Sequence, residues 1–217
     1  MQQILVYGDS LSWGIVPGSR KRHPFDVRWP GRLENGLHDR QIDTRVIEDC
    51  LNGRRTVWDD PFKAGRNGRE GLAQRIELNS PLALVILMLG NNDFQSMHPH
   101  NAWHAAQGVA SLVHEIRTAP IEPGMPVPPI LIIAPPIGMP CGTMADKFDG
   151  GDVKCTGLAA RLERVAHETG CAFVDASHFI HSSAVDGVHL DAHSHEILGD
   201  ALVPVVADLL AEAPETP

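Results

Sequence analysis

Nucleophilic acyl transfer needs a hydroxyl or thiol, a base and a group that orients the base, and this chain carries candidates for all three. Ser10 sits in LVYGDSLSWG, residues 5–14, where an apolar run stops abruptly at Gly8-Asp9-Ser10. Asp186 and His189 sit at the other end of the chain, in VDGVHL, residues 185–190. A serine attacks a carbonyl only when a base takes its proton, and the base must be held in the right tautomer. With Gly187 between them, the Asp186 carboxylate can accept from Nδ1 of His189 and leave Nε2 free for the serine proton. Two further stretches offer donors for a developing oxyanion. One is Leu51-Asn52-Gly53, where a backbone N–H can approach without a Cβ in the way. The other is Gly90-Asn91-Asn92-Asp93, where an asparagine amide can donate.

Each stretch also has a plainer reading. Asp9 or Ser10 could simply cap a helix, and Asn and Asp are common turn formers. A histidine near an aspartate is not surprising among twelve histidines. His193 and His195 follow His189 closely, which keeps a metal-hydrolase alternative open. A GDS turn at a helix start could instead hold a phosphate in a non-enzymatic, flavodoxin-like anion-binding module. That reading gives Asp186 and His189 no joint role.

The elements that must position these residues alternate. Short apolar runs at 4–7, 44–47, 82–89, 130–134 and 172–174 are too continuous for half-exposed strands and suit a parallel sheet covered on both faces. Between them, helical spacing appears at 29–37, 101–118, 155–169 and 192–211, with Pro204 expected to kink or restart the last helix. Strand and helix in alternation predict an α/β doubly wound fold in a single domain, residues 1–217. Two Gly- and Pro-rich stretches, 52–71 and 135–151, each follow a strand and read as long loops at the ligand-binding edge. The tail, 212–217, reads as frayed.

Composition narrows the function classes. The formal charge is −9, from 18 basic and 27 acidic residues, which argues against a broad nucleic-acid or anionic-membrane surface. No run reaches the 18 or more apolar residues of a membrane span, and MQQILVYGDS leaves no room for a signal segment. A cytoplasmic protein is expected. Cys50, Cys141, Cys155 and Cys171 show no CxxC pairing and read as free thiols.

Taken in order, GDSLSWG, LNG, GNND and DGVHL resemble the SGNH (GDSL) hydrolase family over residues 4 to about 210. The segments DVRWPGRL and VWDDP, which the chemistry does not need, resemble the arylesterase and acyltransferase subgroup. This resemblance implies a three-layer α/β/α sandwich whose five-stranded parallel sheet has flavodoxin-like order. It makes Ser10 the nucleophile and first oxyanion donor, Gly53 and Asn92 the other donors, His189 the base and Asp186 its orienter. It implies a serine esterase for acetyl-type and aryl esters that needs no metal or organic cofactor, with acyl transfer to alcohols possible. A carbohydrate O-acetyl esterase is the runner-up. It also implies a homo-oligomer acting on a small-molecule ester. Asp9, Trp13, Trp58 and Phe94 are candidate pocket residues. Cys50 stands where the family has a glycine, and Asn91 where it often has Thr or Glu. The loop from 137 to 151 matches poorly, so the resemblance leaves specificity open.

Overall fold

Burial on both faces dictates the architecture. In the computed structural model, which describes residues 1–212, the strands are β1 (Gln2–Gly8), β2 (Thr44–Cys50), β3 (Leu84–Met88), β4 (Ile130–Ala134) and β5 (Ala172–Asp175). They form one parallel sheet in the order β2-β1-β3-β4-β5, the doubly wound arrangement expected. Successive side chains point to opposite faces, so Ile4, Val6, Ile86 and Leu131 enter one core while Leu5, Tyr7, Val85 and Ile132 enter the other. Fully burying each such aliphatic side chain is worth roughly 1.5–3 kcal/mol, which explains why the strands read as unbroken apolar runs.

The helices are α1 (Ser10–Trp13), α2 (Trp29–Asp39), α3 (Leu72–Asn79), α4 (Ala102–Arg117), α5 (Gly151–Lys154), α6 (Leu158–Thr169) and α7 (Ala192–Glu212). Helices α2 and α7 cover the first core, and α3, α4 and α6 cover the second, giving three layers. Among the described residues no helix is long and apolar enough to cross a membrane. The four cysteines are free.

Several boundaries differ from the sequence expectation. Helix α3 was not expected. It offers only Leu72 and Ile76 to the core, and its third large apolar residue, Leu78, faces solvent. The helix expected over 155–169 begins only at Leu158, because its N-cap, Gly157, adopts a left-handed φ of 78°. Helix α7 runs unbroken through Pro204 rather than restarting. Pro204 is exposed, so the carbonyl one turn back, which loses its N–H partner, is on the side facing water. The stretch 135–151 holds two short 3-10 turns, Gly142–Met144 and Asp146–Phe148. The frayed tail expected at 212–217 lies, past Glu212, outside the described residues.

Strand register does the positioning that the site requires. Gly8 pairs with Cys50 on one side and Met88 on the other, so β1, β2 and β3 end at one level. The next residues of each, Ser10, Gly53 and Asn92, therefore leave the sheet at the same edge. That is the end at which open α/β sheets bind ligands.

Candidate active site

Ser10 opens α1 but does not cap it. The cap is Asp9, whose carboxylate accepts from the Leu11 N–H at 2.9 Å. The helix lasts one turn and closes on Gly14 in the left-handed region, φ 84°. A single turn carries little of the dipole that an anion-binding reading needs.

His189 and Asp186 meet as their spacing implies. Nδ1 of His189 lies 2.8 Å from Oδ2 of Asp186. The carboxylate is fully engaged, since Oδ1 accepts from the Val188 and His189 N–H groups and Oδ2 also accepts from Gly18 N–H. The loop between them has no room for a side chain at position 187. Gly187 has φ 70°, and a Cβ there would lie 1.8 Å from the Met139 carbonyl oxygen. Burial pushes the Asp186 carboxyl up, but the His189 imidazole and the two backbone donors on Oδ1 outweigh it and hold it below the usual range. Burial also lowers the His189 imidazole, against the pull of Asp186 and with help from Lys147 and Arg20.

Ser10, Gly53, Asn92 and His189 line one cavity of about 70 Å³. Ser10 and His189 are 6% and 7% exposed, so the cavity reaches both from solvent. Among the described residues no hydrogen bond joins Ser10 Oγ to His189, a contact that in free enzymes is often loose and tightens when substrate binds. Neither the Ser10 N–H nor the Gly53 N–H has a partner among the described residues. Gly53 sits at φ 83°, a conformation that disfavours any side chain there.

Asn92 is held by a buried polar chain that no sequence signal marked. Arg55, fully buried, donates to Gln95 Oε1 at 2.6 Å, and Gln95 Nε2 donates to Asn92 Oδ1 at 2.7 Å. This fixes the amide so that Nδ2 donates to Asp9 Oδ2 at 2.7 Å and to the Arg54 carbonyl at 3.2 Å. Asp9 therefore lies behind the cavity and does not line it. Its burial pushes the carboxyl up to about 7, despite the Leu11, Asn92 and Arg54 contacts that favour the charged form.

Trp13, Trp58 and Phe94 do not line the cavity either. The Trp13 ring lies under the Arg22 guanidinium at 4.8 Å, and the Trp58 ring stacks on His100 at 3.9 Å. Phe94, 1% exposed, belongs to the core. The aromatic wall is instead Phe148, joined by Ile15, Met144 and Val188. The histidines of the metal alternative are also dispersed. His195 is fully buried on α7, accepts from the Trp29 N–H through Nδ1 and is lowered to about 3 by burial, while His193 faces solvent. Among the described residues no three His, Cys, Asp or Glu side chains are placed to hold a metal ion. A larger groove of about 570 Å³, lined by Pro135, Leu158, Phe173 and Asp175 among others, contains none of the residues discussed above as catalytic.

A serine, a buried His–Asp pair and free backbone donors thus converge at the carboxyl edge of a doubly wound sheet, the residue types that acyl transfer requires. Residues 6–197 match the GDSL-like lipase/acylhydrolase family, and the chain belongs to it. Three solved structures are similar over nearly the whole chain. Est24, a carbohydrate acetylesterase from Sinorhizobium meliloti, is 33% identical with a TM-score of 0.90, covering 96% of this chain and 100% of that one. The native aryl esterase of M. smegmatis is 35% identical at the same TM-score of 0.90 and the same coverage, 96% and 100%. A putative arylesterase from Agrobacterium tumefaciens is 37% identical with a TM-score of 0.85, again covering 96% and 100%. No curated protein matches the chain.

Proposed function

We propose that this chain is a single-domain serine esterase that hydrolyses short-chain esters through an acyl-enzyme. The observation that carries the reading is the His189–Asp186 pair, 2.8 Å apart, opening onto the same cavity as Ser10. His189 Nε2 takes the Ser10 proton as Oγ attacks the ester carbonyl, and Asp186 stabilises the imidazolium. The carbonyl oxygen, now negative, is held by the Ser10 and Gly53 N–H groups and by Asn92 Nδ2. Asn92 supplies its share by giving up the longer of its two contacts, the 3.2 Å one to the Arg54 carbonyl. The imidazolium then protonates the departing alcohol as the C–O bond breaks. Water repeats the sequence on the acyl-enzyme and releases the acid.

Size and polarity refine this. A cavity of about 70 Å³ is far below the ~300–1,000 Å³ of clefts that enclose drug-sized ligands, so the acyl group is small, acetyl first. Acetylated carbohydrates, named for one similar structure, meet that limit, and so do aryl esters, named for another, when their acyl group is small. Hydrolysis is favoured over transfer to another alcohol, because the cavity mouth is polar and does not exclude water. Self-association would cover Phe62 and Met139, 80% and 82% exposed on the two long loops.

The test is turnover of p-nitrophenyl esters from acetyl to octanoyl by the wild type and by Ser10→Ala. Acetyl should be preferred and Ser10→Ala should be inactive. Turnover by Ser10→Ala at the wild-type rate would overturn the reading.

A further inference from the structure

The mouth of the Ser10 cavity carries an excess of positive charge that the proposed chemistry does not use. Arg20, Lys63 and Lys147 all line it, from three separate loops. All three are exposed, and among the described residues none has a carboxylate within ion-pair distance. The one acid in the lining, Asp60, is already engaged, with its carboxylate 2.8 Å from Arg55 Nη1 and accepting from the Phe62 N–H at 2.8 Å. Of the three, Lys147 senses the other two. The Lys147 ammonium is lowered first by partial burial and then by Arg55, with Arg20 and Lys63 adding to the effect against Asp60. Lys147 and Arg20 also reach His189, where they work against its protonation. A converging, unpaired positive cluster is unexpected on a chain of net charge −9 and costs self-repulsion unless something neutralises it.

We propose that the ester cleaved here carries an anionic group, a carboxylate or a phosphate, on its alcohol portion, held at the cavity mouth by Arg20, Lys63 and Lys147. This rests on the esterase reading and specifies its substrate class. The small cavity places the acyl group inside, next to Ser10 and the oxyanion donors, so the leaving alcohol lies outward among the cations. Met144 and Phe148 are interleaved with them, which suits an alcohol whose apolar body ends in the charge. An anion there has two effects. It is drawn to the cavity at long range. Once bound, it also offsets the cationic field on His189, which favours the imidazolium that forms as Ser10 attacks.

The experiment compares kcat/KM for 4-acetoxybenzoate and 4-acetoxyphenyl phosphate with that for the neutral 4-acetoxybenzamide, in wild type and in the triple variant Arg20→Gln, Lys63→Gln, Lys147→Gln. The wild type should favour an anionic ester by about tenfold at low salt. That ratio should collapse toward one in 1 M salt, where the screening length is about 3 Å. It should also collapse in the triple variant. The larger of the two anionic ratios identifies carboxylate or phosphate. A wild-type ratio of one or less, or a ratio that survives the triple substitution, overturns the proposal. So does a charge preference confined to the acyl side, seen as monophenyl succinate cleaved faster than phenyl butanoate with no preference among the acetates. Absence of turnover on all three acetates would instead sink the esterase reading itself. Should the triple variant fold poorly, the salt series on the wild type still decides.

Discussion

Replacing Asp186 with Asn changes one oxygen for an NH₂ group, and the contacts already present determine where that group goes. Oδ1 accepts two backbone N–H groups, from Val188 at 3.0 Å and His189 at 2.9 Å. Oδ2 accepts Nδ1 of His189 at 2.8 Å and the Gly18 N–H at 3.2 Å. Backbone donors cannot become acceptors, but an imidazole can exchange tautomers. The asparagine carbonyl therefore takes the Oδ1 position, and its NH₂ donates to Nδ1. The proton is thereby placed on Nε2, where His189 can no longer accept one from Ser10. In serine hydrolases with this arrangement the equivalent change costs about 10⁴-fold in kcat with the geometry intact. That is about 5.5 kcal/mol of barrier at 1.36 kcal/mol per tenfold. The fold loses much less: the Gly18 N–H is left facing a donor, a cost of roughly 1–3 kcal/mol. The assay is kcat on p-nitrophenyl acetate beside a thermal melt, and the signature is a large loss of rate with a modest loss of stability. Turnover within tenfold of wild type in a folded Asp186→Asn protein would refute the tautomer argument.

Three other outcomes follow. The base must be neutral and burial lowers the His189 pKa, so the acid limb of kcat/KM should bend below pH 6.5, the ordinary histidine value. A bend above that value contradicts the site's electrostatics. Asn92→Ala should cost about 10²–10³ in kcat with folding retained, measured by single-substrate kinetics. Loss of KM alone would move Asn92 out of the oxyanion role. His195 stays neutral in the fold down to about 3 but takes a proton near 6.5 when unfolded. Its contribution to stability is therefore complete above pH 6.5 and is lost as pH falls toward 3. His195→Gln should flatten the decline of melting temperature with pH across that window, and an unchanged slope would refute it.

What the sequence revealed depends on how local each physical cause is. The sheet was readable because both faces of each strand are buried, so Leu84 to Met88 and Ile130 to Ala134 contain no polar residue. The pairing of Asp186 with His189 was readable because the glycine between them is only two residues from one partner and one from the other. Helix α3 was hidden because just two of its side chains reach the core. The aromatic residues nearest Ser10 and the donor loops in sequence misled, since proximity along the chain does not say which way a ring points. Trp13 turns to Arg22 and Phe94 to the interior, while Phe148 arrives from a loop 138 residues beyond Ser10. The Arg55–Gln95–Asn92–Asp9 chain joins three segments and exists only once the fold brings them together.

The stretch LVYGDSLSWG thus divides its labour. Asp9 caps the turn and braces Asn92, and Ser10 is left free at the cavity. The most direct test of Ser10 as nucleophile is covalent labelling by a fluorophosphonate, with the adduct located by peptide mass spectrometry. A single adduct on Ser10, formed in the wild type and lost in His189→Ala, is the expected result. Ester hydrolysis by a protein whose Ser10 stays unlabelled, or an adduct on another residue, would contradict it.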